Sequence, residues 1–343
     1  MSQEFEVRVE AARTVVAEKP PSLDALLSLA ASDMAAVDAL IRGHMDSPVP
    51  VIPALADHLI AGSAKRLRPL LTVAAARLAG ARDDACLKLA AAVEFIHTAT
   101  LLHDDVVDSS QLRRGRVAAH LIWGAPSSVL VGDFLFARAF ELMVGSGSMP
   151  ALEILARASR VIAEGEVLQL TRAHDMDLSQ EVYLQIIGAK TAELFAAAAE
   201  AGAVSASAPA DRCRALRRFG QDLGIAFQLV DDALDYSGAS VELGKNPGDD
   251  FREGKATLPL LLAMSRTPTE RDFWVRTIDR RDQADGDFER ARDLMRQTGA
   301  LDATLDLARQ YTASAKAALT GFGASPWRPA LEELADFAVM RRA

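Results

Sequence analysis

Apolar residues recur at three- and four-residue spacing along most of the chain, which is the period of a helix with one buried face. The pattern therefore predicts a series of helices, several of them long. No stretch alternates with period two for long enough to form a sheet. The predicted helices are Ser22 to Ile41, Leu67 to Leu78, Ala85 to Val107, Ser127 to Val144, Ala151 to Arg172, Gln180 to Ala203 and Asp211 to Tyr236.

Clusters of turn-forming residues separate these segments, at 145–150, 205–209 and 237–255. The segments Leu89 to Leu102 and Phe219 to Val230 are apolar nearly all round, and such helices normally lie inside a protein. We therefore predict an all-α fold, with a loose N-terminal arm over residues 1–20 and one large helical domain over residues 21–343.

Composition supports a large helical core and limits the partners. Half of the 343 residues are apolar, and 47 acidic against 38 basic residues give a net charge of −9. This charge repels nucleic acid and anionic membrane surfaces, so we expect no nucleic-acid partner. An anionic ligand must then be held locally, by clustered Arg and Lys or by a metal ion.

Targeting signals and reactive cysteines are not evident. The N-terminus lacks a basic head followed by an apolar core, and we find no run that approaches the roughly 20 apolar residues of a membrane span. Cys86 and Cys213 are far apart and lack metal-ligand spacing, which is typical of buried thiols in a reducing compartment. We expect a cytoplasmic protein without a membrane span.

Two aspartate clusters interrupt the apolar helices with the same spacing. Residues at i, i+1 and i+4 share one side of a helix, where three carboxylates repel each other unless something neutralises them. A single cluster could be a solvated helix end, but its recurrence favours a divalent cation site. Oxygen ligands without His or Cys favour Mg²⁺ completed by phosphate. The clusters are Asp104, Asp105 and Asp108, and Asp231, Asp232 and Asp235.

Basic residues accompany both clusters. Arg113 and Arg114 follow the first cluster, and Lys245 and Lys255 flank the loop after the second. A third group lies in the segment GSAKRLRP, at Lys65, Arg66 and Arg68. Each could be an ordinary surface charge, but together they suit a diphosphate because guanidinium groups match phosphate oxygens.

At these motifs the sequence resembles the all-trans isoprenyl diphosphate synthases, also called polyprenyl synthetases. LLHDDVVDSSQLRRG and FQLVDDALDYSG resemble the two aspartate-rich motifs of that family. GSAKRLRP resembles its GGKRxRP segment, and LGKNPGDDFREGKATLPLLLA its GKxxGxDxxEGKxTLP segment. The resemblance implies the isoprenoid synthase fold, a bundle of long helices around a central cavity, and a homodimer.

The resemblance also implies roles for individual residues. The six aspartates would hold three Mg²⁺ ions that clamp the allylic diphosphate. Arg113, Lys190 and Lys245 would add charge there, Thr191 and Gln228 would lie beside the reacting carbons, and Lys255 would lie near the mouth. Isopentenyl diphosphate would be held by Lys65, Arg68, His97 and Arg114. The chain departs from the family at Ser63 and Ala64, where glycines are usual.

The implied reaction is a condensation. The allylic diphosphate leaves as its charge is neutralised, and the isopentenyl double bond attacks the resulting carbocation. A proton is then lost, with released diphosphate as the expected base. A terpene cyclase fits less well because its second motif usually contains Asn, Ser and Glu. A non-catalytic subunit of the family fits less well because such subunits lose aspartates.

Product length depends on the residues before the first cluster. Short-chain members of the family carry an aromatic residue four or five positions before the first aspartate, where this chain has Thr100 and Ala99. We therefore predict a long-chain product, octaprenyl to decaprenyl diphosphate, for the ubiquinone side chain, with farnesyl diphosphate as primer. The alternative is that Phe95, Phe134 or Phe136 closes the cavity higher, giving a geranylgeranyl or farnesyl product.

Overall fold

The computed structural model describes residues 20–60, 66–113, 115–173, 175–237 and 248–340. Long helices make up most of this part of the chain. The first ten are α1 (Asp24–His44), α2 (Val51–Ile60), α3 (Leu67–Ala79), α4 (Ala85–Val107), α5 (Ala119–Trp123), α6 (Ala125–Gly145), α7 (Met149–Thr171), α8 (Gln180–Ile187), α9 (Glu193–Ser205) and α10 (Ala210–Ser237). The all-α prediction is confirmed.

The C-terminal part of the chain continues with further helices. They are α11 (Asp249–Glu253), α12 (Leu258–Arg266), α13 (Arg271–Trp274), α14 (Asp287–Gln297), α15 (Ala300–Ala318) and α16 (Trp327–Met340). A 3₁₀ turn covers Pro268–Glu270, and π-helical turns cover Gly188–Ala192 and Val275–Asp279.

The predicted helices end at Tyr236 and omit α2, α5 and α11 to α16, and two further features also differ from the prediction. The segment predicted as one helix from Gln180 to Ala203 contains the π-helical turn Gly188–Ala192. A small antiparallel hairpin, β1 (Leu112–Arg113) and β2 (Arg116–Val117), follows α4. Its strands are too short to show period-two alternation, so the pattern could not reveal them.

The core forms around α4 and α9. Helix α4 packs mainly on α6, while α9 lies among α3, α7 and α10, and α10 also packs on α15. Both central helices are apolar nearly all round, so each buries side chains on every side. This arrangement places the C-terminal ends of α4 and α10 next to other helices.

The prediction that no segment could span a membrane by length and composition is wrong for α4. Within the described residues, Ala85–Val107 is long and apolar enough, but 72% of its most apolar window is buried inside the protein. Burial on that scale is typical of a core helix, which passes the same test. The predicted arm over residues 1–20 lies almost entirely outside the described residues, so the domain division stays a prediction.

Helix α9 packs so closely on its neighbours that their backbones nearly touch. A Cβ atom on Gly202 would lie 2.3 Å from the carbonyl oxygen of Thr72 in α3. A Cβ atom on Gly220 of α10 would lie 2.3 Å from the carbonyl oxygen of Phe195 in α9. Because backbone atoms cannot move aside cheaply, these glycines permit α9 to lie against α3 and α10.

We expect Gly202→Ala to lower the free energy of unfolding by about 1–3 kcal/mol, because the added methyl group overpacks the α3–α9 contact. The measurement is urea denaturation followed by circular dichroism. Gly43→Ala is the matched control, since Gly43 is exposed on α1 and a Cβ atom there meets nothing within 4 Å. The control should gain roughly 0.5–1 kcal/mol. Equal effects in both variants would contradict the packing account.

Candidate active site

The two aspartate clusters lie at the ends of α4 and α10, and two bridges connect them. On one side Lys190 approaches Asp104, while its neighbour Thr191 reaches α10. On the other side Lys255 bonds Asp108, and Asp250 bonds Asp235 a few residues before it. The structure therefore places both clusters around the same region.

Asp105 is fully buried at the end of α4, with no exposed surface. Arg113 in β1 donates two hydrogen bonds to its Oδ1 atom, one of them from Nε at 2.7 Å. The hairpin therefore folds the guanidinium back onto the helix end. Oδ2 of Asp105 is buried and has no hydrogen-bond partner among the described residues.

Asp104 lies in a basic and acidic cluster formed with α7 and the π-helical turn. Nζ of Lys190 is 3.8 Å from Oδ2 of Asp104 and donates to Glu166 at 2.7 Å and to Gln169 at 2.9 Å. Burial raises the pKa of Asp104, although the charge of Lys190 opposes the shift. Burial likewise raises the pKa of Glu166 to about 7, against the effect of Lys190. One ammonium group thus serves two partly buried carboxylates.

In the second cluster, Asp232 is held most firmly. It is 3% exposed, and its Oδ2 atom accepts a 2.5 Å hydrogen bond from the Tyr183 hydroxyl of α8. Its Oδ1 atom accepts from Nε2 of Gln228 at 2.7 Å, and Oε1 of Gln228 accepts from the Thr191 hydroxyl at 2.8 Å. Burial, followed by the charge of Asp250, raises the pKa of Asp232 to about 8. The surroundings of Asp232 therefore do not supply enough positive charge to balance an ionised carboxylate.

The rest of the second cluster is tied to the segment that follows it. The backbone nitrogen of Asp250 donates to Oδ2 of Asp235 at 3.1 Å, and that of Gly248 donates to the Asp235 carbonyl oxygen at 3.0 Å. Gly248 has φ +80°, in the left-handed region that favours glycine. Asp231 is partly exposed beside them.

Lys255 connects this segment to the first cluster. Its Nζ atom donates to Asp108 at 3.3 Å and also pairs with Glu253 at 2.5 Å. Burial disfavours the charged ammonium, but the carboxylates of Asp250 and Asp108 outweigh burial and raise the pKa of Lys255. The lysine therefore stays charged between the two clusters.

Arg68 and His97, both predicted to bind isopentenyl diphosphate, lie together. Nη1 of Arg68 is 3.0 Å from Nε2 of His97, and the guanidinium carbon lies 4.3 Å from the centre of the Phe195 ring. Stacking and hydrogen bonding leave this arginine little rotational freedom. Lys65, Arg114 and Lys245 lie outside the described residues, as do Ser63 and Ala64.

The predicted chain-length positions lie on α4, one turn before the aspartates. Ala99 is fully buried, and the Thr100 hydroxyl donates to the His97 carbonyl oxygen at 2.9 Å. Phe95 is also fully buried one turn further down. Phe136 of α6 stacks on His103, with 6.1 Å between ring centres.

Sequence reasoning missed four side chains around the clusters. Tyr183 carried no signal, because its partner Asp232 is 49 residues away. Glu166 and Gln169 are one turn apart on α7, a spacing too common to single out. Asp250 lies within the GKNPGDDFREGK segment, where sequence alone gives it no separate role.

The residues present fit a divalent cation. Among the described residues no three His, Cys, Asp or Glu side chains already converge on one point. However, the unpartnered Oδ2 of Asp105 and the raised pKa values of Asp104 and Asp232 mark negative charge that lacks a counterion. Clustered carboxylate oxygens are the ligands that Mg²⁺ and Ca²⁺ prefer.

Comparisons with known proteins agree on one family. A model described as polyprenyl synthetase matches residues 49–295. Octaprenyl diphosphate synthase of Escherichia coli (strain K12) is 44% identical over 320 residues, covering 93% of this chain and 99% of that protein. The similarity in sequence therefore extends over nearly the whole of both proteins.

Two crystal structures resemble the whole fold. Polyprenyl synthase from Caulobacter crescentus CB15, complexed with calcium and isoprenyl diphosphate, has a TM-score of 0.92 and 70% identity, covering 95% of this chain and 99% of that one. A decaprenyl diphosphate synthase from Rhodobacter capsulatus has a TM-score of 0.89 and 53% identity, covering 93% and 99%.

We expect Tyr183→Phe to lower the free energy of unfolding by about 1–3 kcal/mol, because Oδ2 of buried Asp232 loses its donor. Urea denaturation measures the change. Tyr311→Phe is the matched control, since Tyr311 is partly exposed and its loss should stay within about 0.5 kcal/mol. If Tyr183→Phe is as mild as this control, the buried hydrogen bond does not hold Asp232.

Proposed function

Because the chain belongs to the polyprenyl synthetase family, we propose that the region between its aspartate clusters condenses isopentenyl diphosphate with farnesyl diphosphate. The chain is a trans-prenyltransferase that makes a long-chain all-trans polyprenyl diphosphate; relatives at 41–44% identity are octaprenyl and nonaprenyl diphosphate synthases. The observation that carries the proposal is that two partly buried aspartate clusters approach the same region, linked on one side by Lys190 and Thr191 and on the other by Lys255 and Asp250. Within the long-chain class, we assign this chain a product of octaprenyl to decaprenyl length.

We assign Mg²⁺ to the six aspartates, as three ions around the allylic diphosphate. When bound, the metal neutralises the leaving diphosphate. The donor set supports this assignment, as does the calcium in the relative from Caulobacter crescentus. The residues concerned are Asp104, Asp105 and Asp108 on α4, with Asp231, Asp232 and Asp235 on α10.

Basic side chains would complete the binding of both diphosphates. Lys190 can reach an allylic diphosphate by leaving Glu166 and Gln169, and Lys255 lies between the clusters at the mouth. Arg113 would add charge beside Asp105, together with Lys245. Isopentenyl diphosphate would be bound by Arg68 and His97, which already contact each other, and by Lys65 and Arg114.

Thr191 and Gln228 are placed to orient the reacting carbons. Their mutual hydrogen bond fixes both polar groups, and Gln228 is in turn fixed by Asp232. Polar groups held in this way can stabilise developing positive charge without reorganising. Water is kept away by the buried apolar walls of α4 and α10.

We further propose a cytoplasmic homodimer that supplies the ubiquinone side chain. Several large apolar residues of α5 and α6 are exposed, and burying them against a second copy would remove that surface from water. Leu130 and Val144 are each 66% exposed at opposite ends of α6. The other members of this face are Leu121, Ile122, Val129 and Phe140.

Product analysis tests the proposed reaction. Purified protein, Mg²⁺, labelled isopentenyl diphosphate and farnesyl diphosphate should give alcohols of octaprenyl to decaprenyl length after dephosphorylation, since a small residue at Ala99 leaves room for growth. Omitting Mg²⁺ should abolish elongation. A product that stops at geranylgeranyl would contradict the length assignment, and no elongation with any allylic primer would contradict the proposed reaction.

Ala99→Phe tests the proposed gate. We expect its products to be shorter than octaprenyl, because the ring would block a chain growing along α4 away from Asp104. Ala31→Phe is the matched control, since Ala31 is exposed on α1 and should leave product length unchanged. Unchanged product length in a folded Ala99→Phe enzyme would place the gate elsewhere.

A further inference from the structure

Two neighbouring site residues, Lys190 and Thr191, lie in a π-helical turn and contact different helices. At Gly188–Ala192 the backbone nitrogen of Glu193 donates to the Gly188 carbonyl oxygen, five residues earlier. Within this turn Lys190 reaches Glu166 on α7, whereas Thr191 bonds Gln228 on α10. The turn therefore directs consecutive side chains to the two neighbouring helices, and π-helical turns are frequent at functional sites.

Close backbone packing encloses this turn on two sides. A Cβ atom on Gly165 of α7 would lie 2.8 Å from Cβ of Ala189 and 3.0 Å from the Lys190 nitrogen. A Cβ atom on Gly224 of α10 would lie 2.6 Å from Cα of Ala192. These contacts limit how far the turn can lie from α7 and α10.

Rotation is constrained by side chains on both flanks. Before the turn, the Tyr183 hydroxyl binds Asp232 of α10. After it, Glu193 is 5% exposed and accepts hydrogen bonds on both carboxylate oxygens from Nη2 of Arg217, at 2.8 and 3.0 Å. Both contacts attach the segment from α8 to α9 to α10. The additional residue of the π-helical turn lies between these two contacts, so the turn itself must accommodate it.

The second contact extends into a network of four charged side chains. Nη1 of Arg217 donates to Glu200 at 2.9 Å, and Arg157 of α7 donates to the same carboxylate oxygen at 3.2 Å. One guanidinium thus binds two glutamates that lie two turns apart on α9. A buried carboxylate without its partner is strongly disfavoured, so Glu193 resists any rotation that moves it from Arg217.

We propose that Arg217 and Glu193 are positioning residues that hold the π-helical turn in the register that directs Lys190 to α7 and Thr191 to α10. If the π-helical turn became regular α-helix, the residues before it would rotate by about 100° relative to α9. Lys190 and Thr191 would then leave their present partners. The inference rests on the proposed function of Lys190 and Thr191 in the condensation.

The test uses the double variant Glu193→Gln/Arg217→Gln, which removes the ion pair without leaving a lone charge at either position. Glu200 keeps its contact with Arg157. Arg218→Gln is the matched control, because Arg218 is on the same helix and its side chain is 69% exposed. Steady-state condensation, thermal unfolding and circular dichroism are measured for each variant.

We expect the double variant to lose about tenfold or more in kcat, since small displacements of positioned groups have large kinetic effects. The KM for isopentenyl diphosphate should change less than about twofold, because Arg68 and His97 lie on α3 and α4, and Phe195, on which Arg68 stacks, belongs to α9 after the turn. The control should keep the parent values. A loss of thermal stability with unchanged kcat would overturn the proposal.

A second measurement separates positioning from general structural damage. In a Lys190→Ala/Thr191→Val background, the same double variant should change kcat by less than about twofold, because the groups it positions are gone. A full tenfold loss in that background would overturn the proposal. If Lys190→Ala/Thr191→Val alone keeps parent activity, the proposed roles of Lys190 and Thr191 fail, and the positioning inference fails with them.

Discussion

Repulsion among buried carboxylates is the constraint on which the site depends. Asp104, Asp105 and Asp232 lie in places that burial makes unfavourable for negative charge. In this structure Arg113, Lys190 and Lys255 supply part of the missing positive charge. Because these cations come from the hairpin just after α4, from the π-helical turn and from the segment after α11, electrostatics ties one adjacent and two distant parts of the chain to α4.

Under the proposed function, helix α4 would link the chemistry to product length. Its last turn carries the first aspartate cluster, and Ala99, a little more than one turn earlier, is part of the buried apolar wall. A diphosphate bound at Asp104 therefore has an apolar helix extending away from it. The same apolar character makes α4 resemble a membrane span by composition, although its surroundings are other helices.

Most helices up to Tyr236 were predictable because the spacing of apolar residues is a local property, whereas the meeting of the two clusters was expected only from their recurrence and from the family resemblance. Helix α4 was predicted with its observed bounds, since its apolar positions continue without a turn residue from Ala85 to Val107. The π-helical turn was not predictable, because Gly188–Ala192 carries no pattern that distinguishes it from α-helix. The roles of Glu166 and Tyr183 depend on partners distant in the chain, which a single sequence cannot reveal.

The most direct test of the central claim is anomalous diffraction at the manganese edge from crystals grown with Mn²⁺ and inorganic diphosphate. If the two clusters form one cation site, metal peaks should lie within ligand distance of Asp104 or Asp108 and of the α10 aspartates, with diphosphate between them. Metal bound at only one helix end, or away from both, would contradict the account.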